Sequence, residues 1–418
     1  MNLHRVLGVA LFASLITGPV VAEDWPFFRG PTRDGKSLDA APLEWGKDKN
    51  IKWSVKLPRP GNSSPIVTGS HVLLNCAEDA GGVNRSLYCF DRATGNKLWS
   101  QTVKYELKEP THNTNPYCAS TPATDGKLVV VWHGSAGLYC YDLSGKQVWK
   151  YETGPRRHIW GYGSSPIIHA GVVYLNCGPG AGHYVVAINL ADGKELWKID
   201  EPRAADDKFA ESKGWVGSWS SPMVAKINGQ EQLLIFQSSK VNGYDIKTGK
   251  ILWSAAGTGD LAYTDVMIDA KSGIGLALGG YGGAGIGFSL GSTPDTAPGK
   301  QLWRTTDKPP QRIGSGVIVG NHVYLPSEPS IQCIDITTGK IAWSHRQPGA
   351  SYWSSIVSSG DRLYATTQNG TTLVFSPDPS GFKLLATNVL GESTNATPAI
   401  SKGQIFLRTS QHLFCIGE

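Results

Sequence analysis

One phrase recurs along nearly all of this 418-residue chain, and it constrains the fold more than any other feature. It reads LYCFDRATGNKLWS at 87–100, LYCYDLSGKQVWK at 138–150, VVAINLADGKELWK at 185–198, VNGYDIKTGKILWS at 241–254 and IQCIDITTGKIAWS at 331–344. Each copy sets a glycine four residues before a tryptophan: Gly95 and Trp99, Gly145 and Trp149, Gly193 and Trp197, Gly249 and Trp253, Gly339 and Trp343. A weaker copy keeps that spacing at Gly299 and Trp303, and a decayed one has Gly381 and Leu385. A period of 40 to 56 residues built from strand-like runs denotes a repeat architecture.

The chemistry of each copy explains the pattern. An alternating apolar run such as Leu87 and Cys89 reads as a strand. Asp91, Asp142, Asp245 and Asp335 then open a turn, where a short carboxylate can take nearby backbone N–H groups. The glycine supplies the positive φ that closes the hairpin, and the tryptophan returns as a large apolar wedge for the neighbouring unit. Upstream stands a second signature, SSPIV at 63–67, STPAT at 120–124, SSPII at 164–168 and SSPMV at 220–224. Further strand-like runs lie between the two, so each period predicts four short antiparallel strands, a propeller blade. Seven outer strands are marked by Trp99, Trp149, Trp197, Trp253, Trp303, Trp343 and Leu385. Residues 395–417 hold three strands of another blade, and NIKWSVKLP at 50–58, with Trp53 in the docking place, predicts its fourth. The expectation is an all-β, eight-bladed propeller over 50–418, closed by an N-terminal strand and preceded by a strap over 23–49.

This combination resembles the PQQ-like (pyrroloquinoline quinone) repeat propellers over roughly residues 24–418. The opening DWPFFRGPTRDG at 24–35 also resembles the strap of secreted bacterial members. The resemblance implies one of two roles: a quinoprotein dehydrogenase, or a cofactor-free BamB-like scaffold of outer-membrane assembly. In the dehydrogenases the quinone is held between a Trp and a disulfide of adjacent cysteines, with calcium on Glu, Asn and Asp side chains. Here no two cysteines are adjacent, and those ligands are not found by motif. A G-x-S-x-G elbow, an H-E-x-x-H and a phosphate loop are also absent; GGYGGAGIG at 279–287 reads as a degenerate hairpin of blade five. The expected function is therefore an exported, non-enzymatic binding scaffold with no cofactor. PQQ with calcium in an oxidoreductase is the alternative, and a lectin-like role is a third.

Residues 1–22 read as a signal peptide cleaved near Ala22, with a basic start, an apolar stretch from Val6 to Ile16 and a small-residue site. No cysteine for a lipid anchor follows, and no later stretch is apolar for long enough to span a bilayer. The net charge of +5 becomes +4 on loss of Arg5, a mild bias towards anionic partners and not a nucleic-acid signature. The expected product is a periplasmic or secreted monomer that meets an envelope protein or a polysaccharide. Cys89, Cys140, Cys333 and Cys415 share one repeat position and Cys76 and Cys177 another, which reads as buried thiols. A bridge from Cys76 to Cys89 is the one pairing worth testing.

Topology predicts where a ligand would bind. Loops from the fourth strand to the next blade share a face with the second-to-third loops, and on this chain they are long and aromatic: 111–118, 154–163, 204–219 and 345–353. The opposite face receives tight turns. Seven of the 14 tryptophans, Trp53 to Trp343 in the repeat, are accounted for by docking. Trp160, Trp215, Trp219 and Trp353 are not, and read either as an aromatic mouth for a sugar, peptide or quinone-like ring or as plugs of the channel. Arg156, Arg157 and His158 read as an anion site or as a solvated basic loop, and His112 joins them on that face. His112, His133, His158 and His183 lack metal-site spacing. Ser64, Thr121, Ser165 and Ser221 read as small residues demanded by the channel axis.

Overall fold

The computed structural model describes residues 24–180, 182–201, 216–291, 296–305 and 311–418; the signal-peptide reading and Trp215 lie outside them. Eight antiparallel blades of four strands are set in a ring, the seventh extended to five by the parallel strap strand Lys36–Ser37, and the chain enters and leaves them in sequence order. Blade one holds Ile66–Thr68, His71–Ala77, Asn84–Asp91 and Lys97–Lys104. The next six follow at 123–151, 167–200, 223–256, 267–304, 317–346 and 357–389. Blade eight is built from both ends of the chain. Ala399–Ser401, Gln404–Arg408 and His412–Ile416 are completed by Ile51–Lys56, whose Trp53 stands opposite Cys415 and whose Lys56 stands opposite His412. The ring is thus closed by hydrogen bonds between termini, which removes the sheet edges an open propeller would expose.

The core lies between the blades and not within any one of them. One apolar cluster joins blades two and three, among them Val130, Trp132, Leu175 and Val186. Another joins four and five through Leu234, Phe236, Ile286 and Phe288. A sheet flanked by two others buries both faces, which is why inner strands such as LVVVW at Leu128–Trp132 are continuously apolar.

The repeated phrase does its work at these junctions. Each tryptophan lies on the glycine of the following blade: Trp53 on Gly95, Trp99 on Gly145, Trp149 on Gly193, Trp197 on Gly249, Trp253 on Gly299 and Trp303 on Gly339. A Cβ at any of these glycines would come within 2.4–2.8 Å of the indole, and φ there is +71° to +90°. The turn therefore needs glycine twice over, for its backbone and for the ring above it. Six indole N–H groups also donate to a carbonyl of the next blade at 2.7–3.1 Å, for example Trp149 to Leu190. Trp253 instead donates to Gln232 Oε1 of its own blade. The turn aspartates act as their sequence suggests: Asp91 Oδ1 accepts from the Thr94 N–H and hydroxyl at 2.8 and 2.7 Å. At the decayed copy nothing lies over Gly381. On the side of blade seven that faces blade eight, where Leu385 takes the tryptophan's place, the segment 41–46 packs instead, with Trp45 N–H donating to Asn388 Oδ1 at 2.8 Å and the Trp45 ring stacked on Tyr364.

All seven cysteines are buried free thiols. Cys76 and Cys89 stand on neighbouring strands but opposite Ser86 and Leu73, so the bridge considered from sequence is not formed. Burial pushes their thiols up, to about 11 and about 12. GGYGGAGIG at 279–287 spans the connection from Ile274–Ala277 to Ile286–Ser289, the hairpin expected of blade five.

Candidate functional site

Eight first strands converge on the axis, and one side chain from each closes a ring of hydrogen bonds around it. Backbone N–H groups of Ser64, Thr121, Ser165, Ser221, Asp265, Ser315, Ser355 and Thr397 each donate to the side-chain oxygen of the next residue in that order. Thr397 returns to Ser64, and every bond is 2.7–3.1 Å. A small hydroxyl satisfies a buried N–H of the adjoining blade, so the Ser-Ser-Pro signature is the inner seal of the propeller. Sequence reading found four members of this ring and took them for geometry. The structure adds four more and shows the bond each one makes.

One member differs. Blade five puts Asp265 where the other seven blades put Ser or Thr, and its Oδ1 accepts the Ser221 N–H at 2.7 Å. The residue is 6% exposed. Burial holds its carboxyl up at about 6, against the opposing pull of the Arg29 charge and the Ser221 hydrogen bonds. Arg29 comes from the strap. Its guanidinium donates to the carbonyls of Asp34 and Gly316 and acts on Asp265 as a nearby charge.

The strap stoppers one end of the channel. Trp25 bridges to Val67 in both directions at 2.9 Å, Thr124 N–H donates to the Pro26 carbonyl, and Ser358 N–H donates to the Gly35 carbonyl. Between these anchors Phe28 faces the axis and lines a cavity of about 690 Å³ that opens on the long-loop face. The ring residues form its wall, and Trp160, Trp219, Tyr263, Tyr281, Trp353 and His112 stand around its mouth.

Local structure explains how the aromatic side is assembled. Gly217–Ser218 and Leu261–Ala262 run parallel, and Trp219 N–H donates to the Ala262 carbonyl at 2.8 Å. That ladder sets Trp219 beside Tyr263, ring centroids 4.9 Å apart, and Trp160 joins both at 6.2 and 6.5 Å. Trp219 is fixed by its indole bond to the Gly161 carbonyl at 3.1 Å. The loop bearing His112 is held from below by a buried ion pair, Arg85 with Glu109 at 2.5 Å, and Glu109 also accepts from Ser135 N–H and hydroxyl. Amides tie the other side together: Asn62 Nδ2 donates to the Thr114 carbonyl and to Asn115 Oδ1 at 2.9 and 3.0 Å, while Asn115 Nδ2 reaches the Trp160 and Tyr162 carbonyls.

The structure therefore brings Trp160, Trp219, Trp353 and His112 to one opening, and it separates the basic triplet. Arg156 is buried, and its guanidinium is spent on the carbonyls of Cys177, Gly182 and Thr153. It is neither a solvated basic loop residue nor turned to solvent. His158 is buried behind the mouth against Trp219, ring centroids 4.9 Å apart, and burial lowers its pKa to about 4. Arg157 is exposed and outside the lining. His133 and His183 are fully buried with pKa values lowered to about 3, and His183 Nε2 pairs with Asn176 Oδ1 at 2.5 Å. Sequence reading missed Phe28, Tyr263, Tyr281 and Asp265. YTDVM at 263–267 takes the place of WSSPM at 219–223, a correspondence that the ring of hydrogen bonds reveals.

A family model described as outer membrane protein assembly factor BamB matches residues 83–345. The BamB of Burkholderia pseudomallei is 20% identical over 393 residues, which cover 83% of this chain and 93% of that protein. Among solved structures, the quinohemoprotein alcohol dehydrogenase of Comamonas testosteroni is similar at a TM-score of 0.69 and 14% identity, covering 94% of this chain and 81% of that one. BamB of Moraxella catarrhalis is similar at 0.60 and 12%, covering 88% and 97%. Identities this low establish the shared propeller and leave its use to the site.

Proposed function

The chain belongs to the family of outer membrane protein assembly factor BamB, and from that membership we propose that it is an exported, non-enzymatic binding scaffold. The observation that carries the proposal is the asymmetry of the ring. One mouth is stoppered by the strap, and the other gathers Trp160, Trp219, Trp353 and His112 on well-anchored loops. Half-buried aromatic side chains on a rigid rim are the anchors a partner surface needs. The partner in this reading is an envelope protein or polysaccharide, met in the periplasm or outside the cell after cleavage near Ala22, by a monomer.

The quinoprotein alternative would place pyrroloquinoline quinone and calcium in the same cavity. The lining does not fit that pair. Among the described residues Asp265 is its single carboxylate, and neither a Lys nor an Arg lines the wall to meet a tricarboxylate quinone. Among the described residues no three His, Cys, Asp or Glu side chains gather as a metal site. Among the described residues no helix is long and apolar enough to cross a bilayer.

Affinity capture from envelope extract tests the proposal. The wild-type chain should retain a partner that Trp160→Ala with Trp353→Ala releases, since a buried aromatic anchor is worth ~2 kcal/mol or more. Lys97→Ala with Lys247→Ala, on the opposite rim, should leave capture unchanged. Adding PQQ with calcium should give no stoichiometric absorbance change. Stoichiometric quinone uptake, or loss of capture only with the lysine pair, would overturn it.

A further inference from the structure

The odd member of the hydrogen-bonded ring has a cost that the ring does not require. Seven blades complete the seal with a hydroxyl, and Ser or Thr accepts the neighbouring N–H as well as Asp265 does. A carboxylate at the same place must be taken out of water, and a buried charge is unfavourable unless something compensates it. Arg29 does so only in part, because its hydrogen bonds go to the Asp34 and Gly316 carbonyls. Asp265 is bonded to Ser221, by the Ser221 N–H to Oδ1 and by the Ser221 side chain, and the carboxylate forms part of the cavity wall.

What the cavity offers beside that carboxylate is aromatic. Trp160, Trp219, Trp353, Tyr263 and Tyr281 stand over it, and Phe28 lies at the base. The amides of Asn62, Asn115 and Asn395 are already engaged with one another and with other groups of the rim, which leaves fewer directional groups for a polyhydroxylated ligand. Several π-systems lining one cavity with a carboxylate form a site for positive charge without strong hydration. We propose that the channel cavity is a binding site for a small organic cation of the quaternary ammonium class, with the ammonium between the aromatic rings and Asp265 as its counter-ion. This goes beyond the scaffold role and stands or falls separately from it.

Titration of the full chain with choline, followed by tryptophan fluorescence, tests the inference against 3,3-dimethylbutan-1-ol, the uncharged isostere. Choline should bind saturably and at least about tenfold more tightly than the isostere, the margin expected of a desolvated cation–π and carboxylate site. Asp265→Ser restores the residue type used by the other blades, so the ring should persist with a melting temperature no lower than that of the wild type while the preference for choline disappears. Tyr263→Leu should weaken choline and leave the isostere nearly unchanged. Equal binding of both probes, no saturable choline response, or an undiminished preference in the folded Asp265→Ser protein would overturn the proposal. Binding of cellobiose with no response to choline would show a saccharide site instead and would equally overturn it. Partner capture by Asp265→Ser reports on the scaffold reading alone.

Discussion

Asp265 sets a signed expectation for stability. Its carboxyl is raised from 3.8 to about 6, so between those values the folded state keeps a proton that the unfolded state has released. Stability contributed by this group therefore falls as pH rises through that window, and the loss is complete above it. Holding the carboxyl that far above its ordinary value costs the folded state on the order of 3 kcal/mol once the pH is above the window. Asp265→Ser removes the term. Urea denaturation of both proteins should show little difference at the acid end and a growing advantage for Asp265→Ser towards pH 8. The buried histidines, His133, His158 and His183, have lowered pKa values and destabilise both proteins alike on acidification, so the difference isolates Asp265. A constant difference across the window would contradict the burial argument.

Between elements, the docking glycines carry the argument. Gly193 has φ +73°, and a Cβ there would lie 2.8 Å from Trp149, whereas Gly381 has nothing within 4 Å. Gly193→Ala should therefore cost several kcal/mol, since overpacking of about 1–3 kcal/mol adds to the left-handed backbone penalty. Gly381→Ala should change the melting temperature little. Equal effects at the two sites would mean that the phrase is a turn signal and not a blade-to-blade joint. This element was legible in sequence because a four-residue spacing between glycine and tryptophan repeats along the chain. The replacement at the seventh junction was not legible: Trp45 reaches Asn388 from more than 340 residues away, and no local pattern announces such a contact.

At the scale of the whole molecule, closure was readable by counting. Three strands at one end and one at the other admit a single arrangement, and Trp53 opposite Cys415 realises it. The candidate site was readable only in outline. Loop length and unexplained tryptophans pointed to the mouth where Trp160, Trp219 and Trp353 line one cavity, but Arg156 and His158 proved to be buried. Charged residues in a long loop look solvated in sequence, and only the fold shows which carbonyls they satisfy. Asp265 and Tyr263 were hidden because blade five keeps neither the Ser-Ser-Pro nor the full tryptophan phrase, so its register could not be fixed without the ring itself.

The central claim is that a partner docks on the long-loop mouth of a closed ring whose other end is stoppered. Site-specific photocrosslinking in intact cells tests it most directly. A crosslinking side chain placed at His112 or Thr114, beside the mouth, should yield a discrete adduct with an envelope partner, and one placed at Lys97 or Lys247 should yield none. Adducts confined to Lys97 and Lys247, with His112 and Thr114 silent, would contradict the account.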